Sequence, residues 1–423
     1  MIGDENGPGI ELDGAEFRRL LMEWYGAEAR VLPWRGTTDP YRIWLSEVML
    51  QQTRVAAVIE HYNEFVRRFP TLVSLSLATD ADVLAAWSGL GYYRRARMLH
   101  KAAQFIVLER HGQLPTTAVE LRTLPGIGEY TAAAVASIAF GERVAVVDGN
   151  VERVILRLVG RPEDATAAGR HFVRAQAQAL LPDFGGRIAE RAKPRGKAAA
   201  FKLQAAKTWS AEERHVLAAT AHPHQTAGGD GTAQRPRSNP AGDHNQAMME
   251  LGAMICLPRG PLCDRCPVYE LCRTRGEHST PARSPQRSVP AACLLDLRKR
   301  GTGTEILLNL RAGDASIMPA MFELPALPLD LVDGREPVLR VRHSITNTNY
   351  YVQVFAPRGE NTAAMAEPRR GGVPELRRSI PKGSGELHWV NVQRLPGMPM
   401  TGLARKILQR VKVMEPLRMN VLE

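Results

Sequence analysis

From Gly14 to about Leu181 apolar residues recur at spacings of three and four, with Gly or Pro at the breaks, which is the period of helices joined by short connections. The pattern predicts an all-α half. At about Phe184 it stops. Large apolar residues become scarce up to about residue 240, Arg187 to Arg214 carries eight Lys or Arg against three Glu, and a Gly, Pro, Thr and Gln rich run follows. Such a segment is expected to be a basic, low-complexity insertion outside any core. Helical spacing resumes at HNQAMMELGAMIC, so the insertion interrupts one domain and does not divide two. Further on, AACLLDL, EILLNL and YYVQVF read as short strands separated by Gly, Asn and Asp, closed by a helix over Leu403 to Val413. The predicted organisation is a disordered N-terminus at 1–13, a helical domain at 14–278 interrupted at about 184–240, a polar linker at 279–287, and a smaller α/β domain at 288–415.

A length of 423 residues fits two or three domains. The net charge of +11 and pI near 9.7 favour a polyanionic partner without naming it. No apolar run approaches the ~18 residues a membrane span needs, and the N-terminus, MIGDENGPGIELD, is acidic and polar. A soluble, cytoplasmic monomer is expected.

Four of the five cysteines fall within CLPRGPLCDRCPVYELC, Cys256 to Cys272. A chain this long can bury a core without disulfide staples, so the thiols read as metal ligands. Zinc sites usually pair two C-x2-C knuckles across a longer spacer, whereas here one C-x2-C is flanked by gaps of six and five. A single loop must wrap the metal, which suits an iron–sulfur cluster and leaves zinc as the alternative. Cys293 stands apart and reads as an ordinary buried thiol.

In LRTLPGIGEYTAAAVASIAF the glycines Gly126 and Gly128 precede a long Ala-rich helix. Glycines there let backbone N–H groups approach a phosphate at a helix N-terminus, although a tight helix–helix turn uses them as well. In VAVVDGNVERV, Asp148 follows a short apolar run, where an aspartate commonly caps a helix. It gains chemical interest from a second carboxylate. Glu47, in YRIWLSEVMLQQT, has Ile43, Trp44, Leu50 and Gln51 as helical neighbours. Apolar surroundings disfavour its charged form and suit a general acid, while an edge position on an amphipathic helix would leave it solvated. GLGYYRRARML adds adjacent tyrosines and three arginines, a mix of stacking faces and phosphate-binding cations.

LPWRGTTDPYRIWLSEVMLQQTRV, GLGYYRRARMLHKAA, LPGIGEYTAAAVASIAFG, VDGNVERVILRL and HNQAMMELGAMICLPRGPLCDRCPVYELC, in that order, resemble the MutY-type adenine DNA glycosylases of the endonuclease III superfamily. The resemblance covers nearly everything from Val31 to Cys272 except the insertion. It implies a mainly α fold of two helical subdomains with a helix-hairpin-helix, a [4Fe-4S] cluster held by Cys256, Cys263, Cys266 and Cys272, and a C-terminal Nudix-like α/β domain. In the family the cluster orders a DNA-facing loop, here with Arg259 and Arg265, and takes no part in hydrolysis. Glu47 matches the catalytic acid and Asp148 the essential aspartate. Gln52 and Tyr92 match residues that wedge into the duplex, and Trp34, Arg35, Leu50 and Glu250 match positions lining the adenine pocket.

The implied activity is hydrolysis of the N-glycosidic bond of adenine mispaired with 8-oxoguanine or guanine in double-stranded DNA, a base excision repair step. The adenine is flipped out of the stack, Glu47 protonates N7, and Asp148 stabilises the oxocarbenium-like sugar. The alternative is an endonuclease III-like glycosylase/lyase for oxidised pyrimidines, which places a Schiff-base lysine two residues after the second hairpin glycine. That catalytic position here is Tyr130, and a phenol forms no imine. The C-terminal domain lacks a Glu-rich Nudix box between Ser288 and Val413, so nucleotide hydrolysis is not expected of it. In RHSITNTNYYVQVF, Ile345, Thr346 and Asn347 align with the family's Phe-Ser-His lesion-reading trio, and all three differ. Thr346 keeps a hydroxyl able to hydrogen-bond and is expected to carry the 8-oxoguanine preference.

Overall fold

The computed structural model describes residues 13–183, 239–278, 286–315, 318–345, 347–357, 375–381 and 385–414. Residues 1–12, nearly all of the expected insertion, residues 279–285 of the expected linker, and Thr346 lie outside the described residues. The chain divides into two compact units, one drawn from 1–52, 71–77 and 101–282, the other from 53–70, 78–100 and 283–423.

The first unit is helical. Asp13 caps α1 (Gly14–Glu28) by accepting the N–H groups of Ala15 and Glu16 at 2.9 and 3.0 Å. Asp39 caps α2 (Pro40–Leu50), whose first residue is a proline with φ already suited to a helix. The unit also holds the short α4 (Leu72–Ser76) and α7 (Ala118–Leu121), and then α8 (Glu129–Phe140). Eight consecutive residues of α8, Thr131 to Ile138, are buried, and their small size lets neighbouring helices come close. Next come α9 (Gly149–Val159), α10 (Ala167–Leu180) and α11 (Pro240–Met254). A Cβ at Gly242 in α11 would lie 2.9 Å from the Ile138 Cα, so glycine sets the α8–α11 approach. Phe17, Leu21, Val154, Ile155, Val173, Leu180, Met248 and Leu251 form the core shared by α1, α9, α10 and α11.

The second unit combines α3 (Val55–Arg68), α5 (Asp80–Ala86) and the start of α6 (Arg94–Glu109) with the C-terminal part of the chain. That part has two sheets. One has the order β5-β1-β7-β6, where β1 (Arg287–Leu294) pairs in parallel with β7 (Thr348–Phe355), β5 (Ala326–Leu327) runs antiparallel to β1, and β6 (Leu339–Ile345) antiparallel to β7. The other joins β2 (Leu297–Arg300), β3 (Gly303–Leu310) and β4 (Phe322–Glu323), with β8 (Glu386–Asn391) on β3. The short α12 (Glu375–Arg378) and α13 (Gly402–Arg410) complete it, and Ala404, Ile407 and Leu408 of α13 pack against Ile306, Leu308, Val352 and Val354. The C-terminal helix ends at Arg410, short of the Val413 expected, and Lys412 takes a left-handed φ of 59°. Within this unit the Tyr93 hydroxyl donates to the Met400 carbonyl at 2.5 Å, Arg405 Nε donates to Ser88 Oγ at 3.0 Å, and Arg97 bonds to the Pro319 carbonyl. Cys293 is buried in the C-terminal core, and burial pushes its thiol up to about 12.

Candidate active site

The apolar face of α2 carries Ile43, Trp44, Leu45, Val48 and Met49 inward and takes Glu47 with them, leaving it 5 % exposed. Glu47 Oε2 accepts the Tyr130 hydroxyl, from the first turn of α8, at 2.6 Å. Burial dominates the Glu47 carboxyl and raises it from an ordinary 4.5 to about 7. The Tyr130 hydrogen bond pulls it back, the Asp148 charge adds to the rise, and the Arg35 charge opposes it. Burial and the neighbouring carboxylates hold the Tyr130 phenol well above its ordinary value, so it remains a donor.

Asp148 is both the cap read from sequence and a member of this group. Its Oδ1 accepts the N–H groups of Asn150 and Val151 at 2.9 and 2.8 Å, and its Oδ2 accepts the Asn150 side-chain amide at 2.9 Å. Three donors at the start of α9 therefore fix the carboxylate's orientation. Asn150 Oδ1 in turn accepts Arg153 Nη2 at 2.9 Å, and Arg153 also donates to the carbonyls of Gly252 at 2.8 Å and Cys256 at 2.7 Å. Neither Asn150 nor Arg153 stands out in the sequence, where this stretch marks only Asp148 as a helix cap.

Glu250, on α11, is 1 % exposed and carries two guanidinium groups. Arg30 donates Nε to Oε1 at 2.7 Å and Nη2 to Oε2 at 2.6 Å, and Arg35 donates Nη2 to Oε2 at 2.7 Å. Burial by itself would raise this carboxyl, but the Arg30 and Arg35 hydrogen bonds outweigh it and hold Glu250 at about 2. Arg35 also lies over the Tyr25 ring at 5.4 Å. Arg30 was missed in the sequence because nothing in it marks a partner 220 positions away. Trp34 is buried and Leu50, at the end of α2, is half-buried.

In the hairpin, Gly126 takes φ 74°, a conformation that strains other residues, and Gly128 is the N-cap of α8 with no side chain capping the helix. Gln52 is exposed and left-handed at φ 57°. Tyr92, in the second unit, is 44 % exposed at φ 48°, with Arg95 over its ring at 5.3 Å. Gln52 and Tyr92 are two of seven described non-glycine residues with positive φ, a conformation uncommon outside glycine. Ile345 ends β6 and Asn347 precedes β7, the Asn347 carbonyl accepting the Arg287 N–H at 2.9 Å.

Cys256 follows α11, Cys263 and Cys266 bound a 3-10 turn, and Cys272 follows a second one. All four are free and half-buried. Burial, followed by the charges of Cys256 and Cys272, raises the Cys263 thiol; Cys266 is pushed to about 11 by burial and by the other three cysteines. Arg157 Nη1 lies 3.4 Å from Cys256 Sγ. Among the described residues no three His, Cys, Asp or Glu side chains are gathered as a single metal ion requires. The donor set, four thiols on one loop with none in a disulfide, is one that a sulfur-ligated metal group could use, iron–sulfur or zinc.

The buried Glu47 carboxyl on α2, the helix-capping Asp148 at the start of α9, and the Gly-Ile-Gly turn that leads into α8 with Tyr130 together define a helix-hairpin-helix base-excision class of protein. Residues 45–176 match the HhH-GPD superfamily base excision DNA repair proteins. Over 270 residues the chain is 38 % identical to the adenine DNA glycosylases of Rattus norvegicus and Homo sapiens, covering 62 % and 61 % of this chain. The match spans only 42 % and 39 % of those relatives, less than half their length. To the adenine DNA glycosylase of Mycobacterium tuberculosis it is 34 % identical over 288 residues, 68 % of this chain and 77 % of that one. The chain belongs to the adenine DNA glycosylase family of the HhH-GPD superfamily.

Proposed function

We propose that this chain excises adenine mispaired with 8-oxoguanine or guanine from double-stranded DNA, hydrolysing the N-glycosidic bond and leaving the abasic strand uncut. The observation that carries the reading is Glu47, a buried carboxyl raised to about 7 beside Asp148 and hydrogen-bonded by Tyr130. A carboxylic acid still protonated near neutral pH can deliver its proton to adenine N7 and make the base a better leaving group. The Tyr130 hydroxyl then steadies the carboxylate that forms. Asp148, aimed by its three N–H donors, places negative charge where the sugar becomes oxocarbenium-like. Water completes the hydrolysis.

Glu250 holds the Arg30 and Arg35 guanidiniums in a fork, and Trp34, Arg35, Leu50 and Glu250 line the adenine pocket. The uncapped start of α8 and the Gly126 turn offer backbone N–H groups to a phosphate, while Gln52 and Tyr92 enter the base stack. Thr346 reads the 8-oxoguanine. Cys256, Cys263, Cys266 and Cys272 would hold a [4Fe-4S] cluster, whose part is to order the loop that presents the exposed Arg259 and Arg265 to the DNA backbone.

The test is single-turnover adenine release. Glu47→Gln, which keeps an acceptor for Tyr130, is expected to lose at least ~10²–10⁴ in rate with duplex binding retained. Base excision at the wild-type rate in that variant would remove Glu47 from the role. Because Tyr130 stands where a lyase needs an amine, borohydride should trap no protein–DNA adduct.

A further inference from the structure

The Tyr130 hydroxyl has one hydrogen and two acceptors within reach, Glu47 Oε2 at 2.6 Å and Met249 Sδ at 3.4 Å. Met249 is half-buried on α11, immediately before Glu250, and packs against the helical core. A thioether is a weak acceptor, and filling that space would need no sulfur, since leucine has similar bulk.

We propose that Met249 is a positioning residue for Glu47 acting through Tyr130: its sulfur shares the phenolic hydrogen while Glu47 is protonated and yields it to the carboxylate once that has formed. The proposal rests on the reading of Glu47 as the acid. A protonated carboxyl and a thioether are both modest acceptors, so the hydroxyl divides itself between them. An ionised carboxylate wins the hydrogen outright, because the bond becomes charge-assisted. The sulfur therefore stabilises only the proton-loaded site. The phenol holds Glu47 loosely before proton transfer and firmly after it, so the interaction strengthens as negative charge develops. The charged or titratable groups that act on Glu47 are Tyr130 from α8, Asp148 from the start of α9, and Arg35 from the segment before α2. Met249 adds no charge to these.

The experiment is the pH profile of single-turnover excision for Met249→Leu. Losing the sulfur penalises the protonated state alone, so the alkaline limb should move to lower pH, on the order of half a unit, with the acid plateau nearly unchanged. Met249→Gln, with a stronger oxygen acceptor on an unbranched chain, should move it to higher pH and serves if the leucine variant folds poorly. In a Tyr130→Phe background neither substitution should shift the limb further. A limb that stays put in both variants, moves the same way in both, or shifts equally without the phenol overturns the proposal. Carbon-13 titration of the Glu47 carboxyl in the free protein reads the same shifts with no substrate. A chain that excises nothing would thus strike the functional reading and leave Met249 to be judged by the titration.

Discussion

Glu47 weakens the fold that holds it. Its carboxyl sits at about 7 when folded against an ordinary 4.5, so the folded state keeps a proton that the unfolded chain releases between those values. Stability should therefore fall as pH rises from about 4.5 to 7 and stay lower above, by about 3 kcal/mol. Glu47→Gln is expected to be the more stable protein at pH 8, with the advantage gone by pH 4.5, as urea unfolding at the two pH values would reveal. Glu250 has the opposite sign. Its depressed carboxyl stabilises above about 4.5 and loses that contribution as pH drops toward 2. Glu250→Gln leaves two guanidiniums facing a neutral amide and should cost on the order of 2–3 kcal/mol at pH 7, since both arginines are partly solvated. The environment of Glu47 was only partly legible: Ile43, Trp44 and Leu50 are its neighbours on one helix, but the same pattern allowed a solvated edge. The environment of Glu250 was not, since Arg30 reaches it across 220 positions.

Among the elements, α8 and α11 were readable from small residues and helical spacing, and the close approach between helices is where those residues act. Gly252 on α11 leaves no room for a side chain: a Cβ there would lie 2.6 Å from Asn150 Cβ and 2.9 Å from its carbonyl oxygen. Gly252→Ala must push the first turn of α9, which orients Asp148. A destabilisation of about 1–3 kcal/mol is expected, with a further loss of excision rate that persists where the variant is fully folded, as circular dichroism and single-turnover assays together would establish. The strands were only half legible. β3 and β7 show as apolar runs, whereas β4 and β5 are two residues long and carry no periodicity. Their existence is decided by pairing partners, not by local preference.

For the whole molecule, the sequence reads as a helical part followed by an α/β part, yet 53–70 and 78–100 group with the C-terminal part in the structure. The contacts responsible, such as Tyr93 to the Met400 carbonyl across 307 positions, have no signature in local pattern. The net charge of +11 and the four-thiol loop were legible, because charge and cysteine spacing need no fold to be counted. Protein prepared without oxygen should carry about four iron atoms per chain and lose them in Cys→Ser variants of the loop, as iron assay and visible absorption would report. A colourless chain holding one zinc would reject the cluster. The central claim meets its most direct test in single-turnover excision from duplexes containing A·8-oxoG, A·G or A·T. Adenine should be released from the first two, faster opposite 8-oxoguanine, with the strand cut only after alkali. No release from either mispair, or release from A·T at the same rate, would contradict the account.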